Sequence, residues 1–176
     1  MVLLFSAQAS AQTPLRITDA DLDWRVVNDT VMGGRSSSQL ERGGTGLLFS
    51  GYLNTNGGGF VSIRSARQDW NLAGFDRVRI KVRGDGRAYQ LRLQPGGSRY
   101  TYRFEFATVA DEWIEVEGLL ENFEASWRGR KLNRPPPDPA DIVGVGVLLG
   151  DGRDGDFQLE IAWMEFAAAP VLGASL

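Results

Sequence analysis

The sequence predicts an all-β protein, an antiparallel β-sandwich or jelly roll. Three observations carry this. Apolar residues recur with period two, glycine- and Asx-rich turns divide the runs at short intervals, and no long segment repeats with a helical period.

The elements follow in order. "VVNDTVMGGRSSS", Val26 to Ser38, begins as a strand and turns polar and glycine-broken, which predicts an ordered surface loop from Asn28 to Ser38 at one end of the sandwich. Gly33 and Gly34 are expected to fix its shape, since glycine supplies positive φ or close backbone approach. "NTNGGGF" (Asn54 to Phe60) has neither the order of a phosphate loop nor a helix after it, so it reads as a hairpin or bulge before a strand. Val78, Ile80 and Val82 then alternate with Arg77, Arg79, Lys81 and Arg83, and Tyr89, Leu91 and Leu93 with Gln90, Arg92 and Gln94. Tyr100, Tyr102, Phe104 and Phe106 share one face, as do Phe157, Leu159, Ile161 and Trp163. "IVGVGVLL" is a β-rich run between them, and "NRPPPDP" (Asn133 to Pro139) is an extended surface loop, because proline cannot serve a central strand. Trp113 and Trp163, within strand patterns, are expected in the core.

Composition limits the chemistry. The 176 residues are 43% hydrophobic, enough for one well-buried domain, expected over residues 15–168 between tails at 1–14 and 169–176. With no Cys there is no disulfide, thiolate nucleophile or cysteine metal site, and with no His there is no Ser-His-Asp triad or imidazole base. A net charge of −3 argues against a general nucleic-acid binder. No run approaches the length of a membrane span, so the chain is not expected to be an integral membrane protein. Ala9-Ser10-Ala11, after the apolar Val2 to Phe5, fits a signal-peptidase site. It predicts a signal-peptide remnant whose true start lies upstream, hence a periplasmic or secreted protein. The alternative is a disordered tail on a cytoplasmic one.

Charge is uneven. Residues 77–103 carry eight basic side chains and one acid, Asp85, whereas 105–124 carry seven acids and no base. Cross-strand pairing of a basic with an acidic strand is the structural explanation. A basic sheet face offered to an acidic partner or ligand is the functional one.

"WRVVNDTVMGGRSSS", "FSGYLNTNGGGFVSIRS", "FDRVRIKVRGDGRAYQLRL", "EWIEVE" and "IVGVGVLLGDGRDGDFQLEIAWMEF" together resemble the complex I intermediate-associated protein 30 family, over about residues 22–166. The resemblance implies a galactose-binding-like jelly roll. For mitochondrial members it implies a chaperone-like role in assembling respiratory complex I. The family is also widespread in bacteria, and the N-terminal segment suggests a bacterial-type member.

Candidate contact residues come from two loops and from two tryptophans in irregular stretches. Asn28, Asp29, Met32 and Arg35 lie in the first loop, and Trp127, Arg128 and Arg130 in the second. Trp70 joins them as an aromatic beside polar groups, the make-up of a carbohydrate platform, a protein hot spot or an aromatic lid. A turn closed by Asn28 and Asp29 bonding their own backbone is the structural alternative for the first loop. Asn28-Asp29-Thr30 is also a formal glycosylation sequon, and Arg83 to Asp85 spells an adhesion tripeptide inside a family turn. Asp151, Asp154 and Asp156 could face a Ca²⁺ ion, but their spacing is not that of an EF-hand, and a polar hairpin is preferred. The sequence therefore predicts a binding protein, not an enzyme, with no catalytic residue, cofactor or metal. The expected partner is a protein, such as an immature respiratory or envelope complex subunit, held by loops 28–36 and 126–131. A carbohydrate or small polar ligand is the alternative.

Overall fold

The computed structural model describes residues 12–17 and 22–170. The proposed cleavage site at Ala9-Ser10-Ala11 and the C-terminal end lie outside the described residues. Two antiparallel sheets face each other across the core. The strands are β1 (Leu15–Ile17), β2 (Trp24–Asn28), β3 (Ser37–Gly43), β4 (Gly46–Leu53), β5 (Val61–Ser65), β6 (Arg77–Arg83) and β7 (Ala88–Pro95). There follow β8 (Thr101–Ala107), β9 (Trp113–Leu119), β10 (Glu124–Trp127), β11 (Arg130–Lys131), β12 (Ile142–Leu149) and β13 (Gly155–Ala167). The first sheet runs β3-β4-β13-β6-β9 with β1 beside the end of β13, and the second runs β11-β10-β8-β7-β12-β5-β2. This is a jelly-roll β-sandwich.

Period-two alternation decides which side chains fill it. Val78, Ile80 and Val82 from β6 and Leu91, Leu93 and Tyr89 from β7 are fully buried, with Phe49, Leu53, Val61, Ile63, Leu149 and Leu159. Removing this much apolar surface from water is the main stabilising term.

Two tryptophans depart from the sequence reading. β13 carries a register shift between Ile161 and Trp163, where Ala162 is an extra residue relative to β6. The bulge reverses the alternation, so Met164 and Phe166 point inward and Trp163 points out. Trp163 lies under the Arg16 guanidinium, 4.3 Å from the ring centroid, with Arg79 at 6.0 Å. Trp113 also faces outward, directly opposite Arg83 in the ladder, whose guanidinium is 5.3 Å from its ring. Both rings are capped by cations, not packed into the core.

The outer face of the first sheet settles half of the charge question. Arg77, Arg79, Lys81 and Arg83 of β6 all pair with acids on neighbouring strands or beside them. Glu115 and Glu117 come from β9, and Glu160 and Glu165 from β13. Here the structural explanation holds: the basic strand lies between two acidic ones.

Candidate functional site

The loop after β2 closes on Asp29. A single 3₁₀ turn, Asp29–Met32, ends at Gly33 with φ of 87°. The Asp29 side chain is fully buried and accepts hydrogen bonds from Ser36 Oγ at 2.6 Å, Ser36 N at 3.0 Å, Gly59 N at 2.7 Å and Phe60 N at 3.3 Å. Its own N–H donates to the Phe60 carbonyl. Burial works against ionisation, but these donors outweigh it and hold the carboxyl below its ordinary range. A Cβ on Gly34 would come within 2.3 Å of Asp29 Cγ, and one on Gly58 within 2.5 Å of Oδ2. The glycines of both loops are thus room for one carboxylate. Of the two readings of Asp29, a contact to a partner or a residue that closes the turn, the geometry agrees with the structural one, and the fold uses the side chain to join two loops. Asn28 is likewise engaged, accepting from Ser38 Oγ at 2.7 Å.

With Asp29 drawn inward, the turn turns its apolar residues out. Val31 is 70% exposed and Met32 65%. Arg35 is exposed as well. The second predicted loop is a hairpin between β10 and β11, with Arg128 and Gly129 both at positive φ and Trp127 paired with Arg130. Trp127 stays 43% exposed, the Arg128 guanidinium 4.9 Å from its ring, and Arg130 is exposed.

These two loops sit at opposite edges of the second sheet, one after β2 and the other at β10–β11. Between them runs a cleft of about 600 Å³, lined by Val31, Met32, Trp127 and Arg128 and floored by side chains of the intervening strands. The structure therefore brings Met32, Trp127 and Arg128 to one site. It leaves Trp70 out: that ring is half-buried and packs against Phe166 at 6.1 Å between centroids.

The floor was not singled out in the sequence. Gln90, Arg92 and Gln94 of β7 and Thr101 and Arg103 of β8 point into the cleft, with Arg64 of β5 and Ser126 of β10. Their signal was the polar half of the alternation, Gln90-Arg92-Gln94, which the search for core residues passes over. Arg92 is half-buried and, among the described residues, bonded only to the neutral Gln90 Oε1 at 2.9 Å and Thr101 Oγ1 at 2.5 Å. Burial, then the charges of Arg103 and Arg64, pull its pKa down to about 10. Ser126 Oγ is buried without a hydrogen-bond partner among the described residues.

The remaining acidic motifs serve the fold. Arg87 is buried and holds Asp151 at 2.6 and 2.9 Å, together with the carbonyls of Arg153, Gly155 and Asp156. Asp154 instead accepts the Thr55 N–H at 2.7 Å. Asp151 and Asp154 are therefore committed to different partners, and among the described residues no group of three such ligands gathers for a metal ion. Asp85 of the Arg-Gly-Asp stretch accepts from Arg87 N, Tyr89 Oη and Gln158 N, as a turn residue does. Among the described residues no helix is long and apolar enough to cross a membrane.

Fold and cleft together define a jelly-roll β-sandwich with an open, arginine-rich trough on one sheet. By sequence, the chain belongs to the complex I intermediate-associated protein 30 family, whose model matches residues 13–161. The mitochondrial complex I intermediate-associated protein 30 of Drosophila melanogaster is 29% identical over 171 residues, covering 80% of this chain. The chain spans 57% of that relative's length. In architecture the chain is similar to the family 11 carbohydrate-binding module of a cellulosomal cellulase of Clostridium thermocellum. The TM-score is 0.63 at 13% identity, over 91% of this chain and 97% of that one. The same module in complex with a mixed-linked tetrasaccharide gives a TM-score of 0.62 at 12% identity, over 91% and 98% of the chains. A region of an agarase gives 0.58 at 10% identity, over 79% of this chain and 23% of that one. At these identities the likeness is one of fold.

Proposed function

We propose that the protein is a non-catalytic binding module of the assembly-factor type, and that the cleft of the second sheet is where it holds an incompletely assembled protein partner. The observation that carries this is the convergence of Val31, Met32 and Trp127, exposed apolar residues from two separate loops, on the rims of one arginine-floored trough. Methionine, aromatic residues and arginine are the types enriched at protein interfaces, whereas lysine, depleted there, is missing from the lining. Family membership supports the same reading, because the Drosophila relative is named for its association with a complex I intermediate. Binding without catalysis is supported by the lack of His and Cys in the sequence.

Carbohydrate is the second reading, favoured by the shared fold and by exposed Trp127 at the rim. Against it, Trp127 is the only tryptophan in the lining and Arg128 lies over its ring, so the cleft offers a sugar ring little free aromatic surface. A photo-crosslinking residue at Met32 or Trp127, introduced in the native host, tests the two. Adducts with subunits of a respiratory or envelope complex, missing when the crosslinker replaces Lys81 on the first sheet, are the expected result. Glycan-array binding with no protein adduct at either cleft position would overturn the proposal.

A further inference from the structure

Three arginines of the cleft floor, Arg64, Arg92 and Arg103, lie in register with a fourth, Arg25, just beyond it. Across the second sheet Arg103 of β8 is directly opposite Arg92 of β7, Arg92 opposite Gly146 of β12, Gly146 opposite Arg64 of β5, and Arg64 opposite Arg25 of β2. Four guanidinium-bearing positions therefore form one row perpendicular to the strands, interrupted only by a glycine. At ~4.8 Å between strands the row is about 19 Å long.

Such a row works against folding, since like charges directly opposite one another on a sheet are destabilising. The first sheet shows how this chain treats arginines that serve stability: each basic residue of β6 has a carboxylate partner. On the row, the only ion pair among the described residues is Arg103 with Glu124, at 3.5 Å and at its far end. The cleft lining holds five arginines and one carboxylate, Asp29, which is committed to Ser36, Gly59 and Phe60. Gly146 keeps the middle of the row low, because a Cβ there would meet the Ile63 carbonyl at 2.5 Å. A small hollow of about 90 Å³ lies at that point, lined by Arg25, Arg64 and Arg92 among others. In the lining of the larger cleft, Ser126 Oγ is likewise buried with no hydrogen-bond partner among the described residues. Both observations indicate that a ligand completes what the chain leaves open.

We propose that the row receives an extended acidic segment of a protein partner, lying across the strands with its carboxylates over Arg103, Arg92, Arg64 and Arg25. Its apolar side chains would meet Met32 and Trp127 at the two rims. This rests on the reading of the cleft as a partner-binding surface and gives that partner a chemistry. An extended chain advances ~3.3 Å per residue and presents alternate side chains on one face, so about six residues span the row with about three carboxylates over it. Charge-assisted, bidentate contacts suit arginine better than lysine.

The probe is a fluorescein-labelled peptide of about eight residues, Glu alternating with Leu, titrated into the full chain and followed by anisotropy. A Gln-Leu peptide and polygalacturonate are run beside it. The Glu peptide should bind, the Gln peptide at least tenfold more weakly, and the difference should shrink as salt screens the charges. Arg64→Gln/Arg92→Gln should weaken the Glu peptide by about tenfold or more, while its melting temperature stays equal or rises as the like-charge repulsion is relieved. The exposed Arg64→Gln alone, which perturbs the sheet least, should weaken it in the same direction, and Lys81→Gln on the first sheet should not. Equal binding of Glu and Gln peptides, both weakened by Trp127→Ala, would overturn the acidic-segment proposal and leave the cleft as a partner surface. Binding of polygalacturonate but no peptide would overturn both. Glu-peptide binding indifferent to the arginine variants, or no binding by any probe, would overturn the proposal.

Discussion

Gly59 donates its backbone N–H to the buried carboxylate of Asp29 at 2.7 Å, and this bond joins the loop after β2 to the loop before β5. Asp29→Ala leaves the donors of Ser36, Gly59 and Phe60 without their acceptor. It should cost about 2–4 kcal/mol, measured by chemical denaturation, because buried donors to a charged acceptor are expensive to abandon. Arg35→Ala, at an exposed position, should move stability by less than about 0.5 kcal/mol. A silent Asp29→Ala would mean that the clasp does not hold the loops.

The same carboxylate makes a pH prediction. Its folded pKa lies below the ordinary value: burial would raise it, but the hydrogen bonds from Ser36, Gly59 and Phe60 prevail. A depressed folded pKa gives stability that is fully present above the unfolded value, ~3.9, and is lost as pH falls through the folded one. Asp151 acts in the same sense, with burial opposed by Arg87 and the Arg153 N–H. Urea midpoints should therefore fall as pH drops below about 4, and less steeply in Asp29→Asn than in the parent. Parallel slopes would show that Asp29 ionisation is not linked to folding.

Arg87 should be the most sensitive charge in the molecule. Arg87→Met removes the partner of Asp151 and the donor to three carbonyls, that of Arg153 in the β12–β13 loop and those of Gly155 and Asp156 at the start of β13. A loss of about 3–5 kcal/mol is expected, as when one member of a buried pair is removed. Amide exchange at Gly155 to Phe157 should rise with it. A loss under about 1 kcal/mol would show that the loop holds itself.

Ile80 and Arg79 test the two faces of β6. Ile80→Ala should cost about 2–5 kcal/mol as a core truncation. Arg79→Ala would fall under about 1 kcal/mol if its pairs were all exposed. However, Arg79 binds Glu165, itself buried, at 2.9 Å, and about 1–2 kcal/mol is expected because Arg16 still holds that carboxylate. Equal losses at both positions in denaturant melts would contradict the alternation.

Much of the fold was legible because one face of each strand must be apolar. Val78, Ile80, Val82, Leu91 and Leu93 could be placed inward from spacing alone. Trp163 could not, because the bulge at Ala162 leaves no mark in composition and shifts every later side chain to the other face. Of the residues singled out for contact, Met32, Trp127 and Arg128 meet at the cleft, whereas Asp29 is enclosed and Trp70 lies elsewhere. "NDTVMGG" shows why: an Asp between polar neighbours and glycines looks the same whether it faces water or a second loop.

By itself, then, the sequence determined the strand class, the family and the two loops worth attention. All of these depend on near neighbours, on alternation or on short motifs, whereas the partners of the β6 cations, Glu115, Glu117, Glu160 and Glu165, come from distant strands. Only the tertiary structure decided that Arg103, Arg92, Arg64 and Arg25 stand in one row, since strand order β8-β7-β12-β5-β2 brings together residues far apart in the chain. Register between distant strands is fixed by how two whole sheets pack, and no local pattern records it.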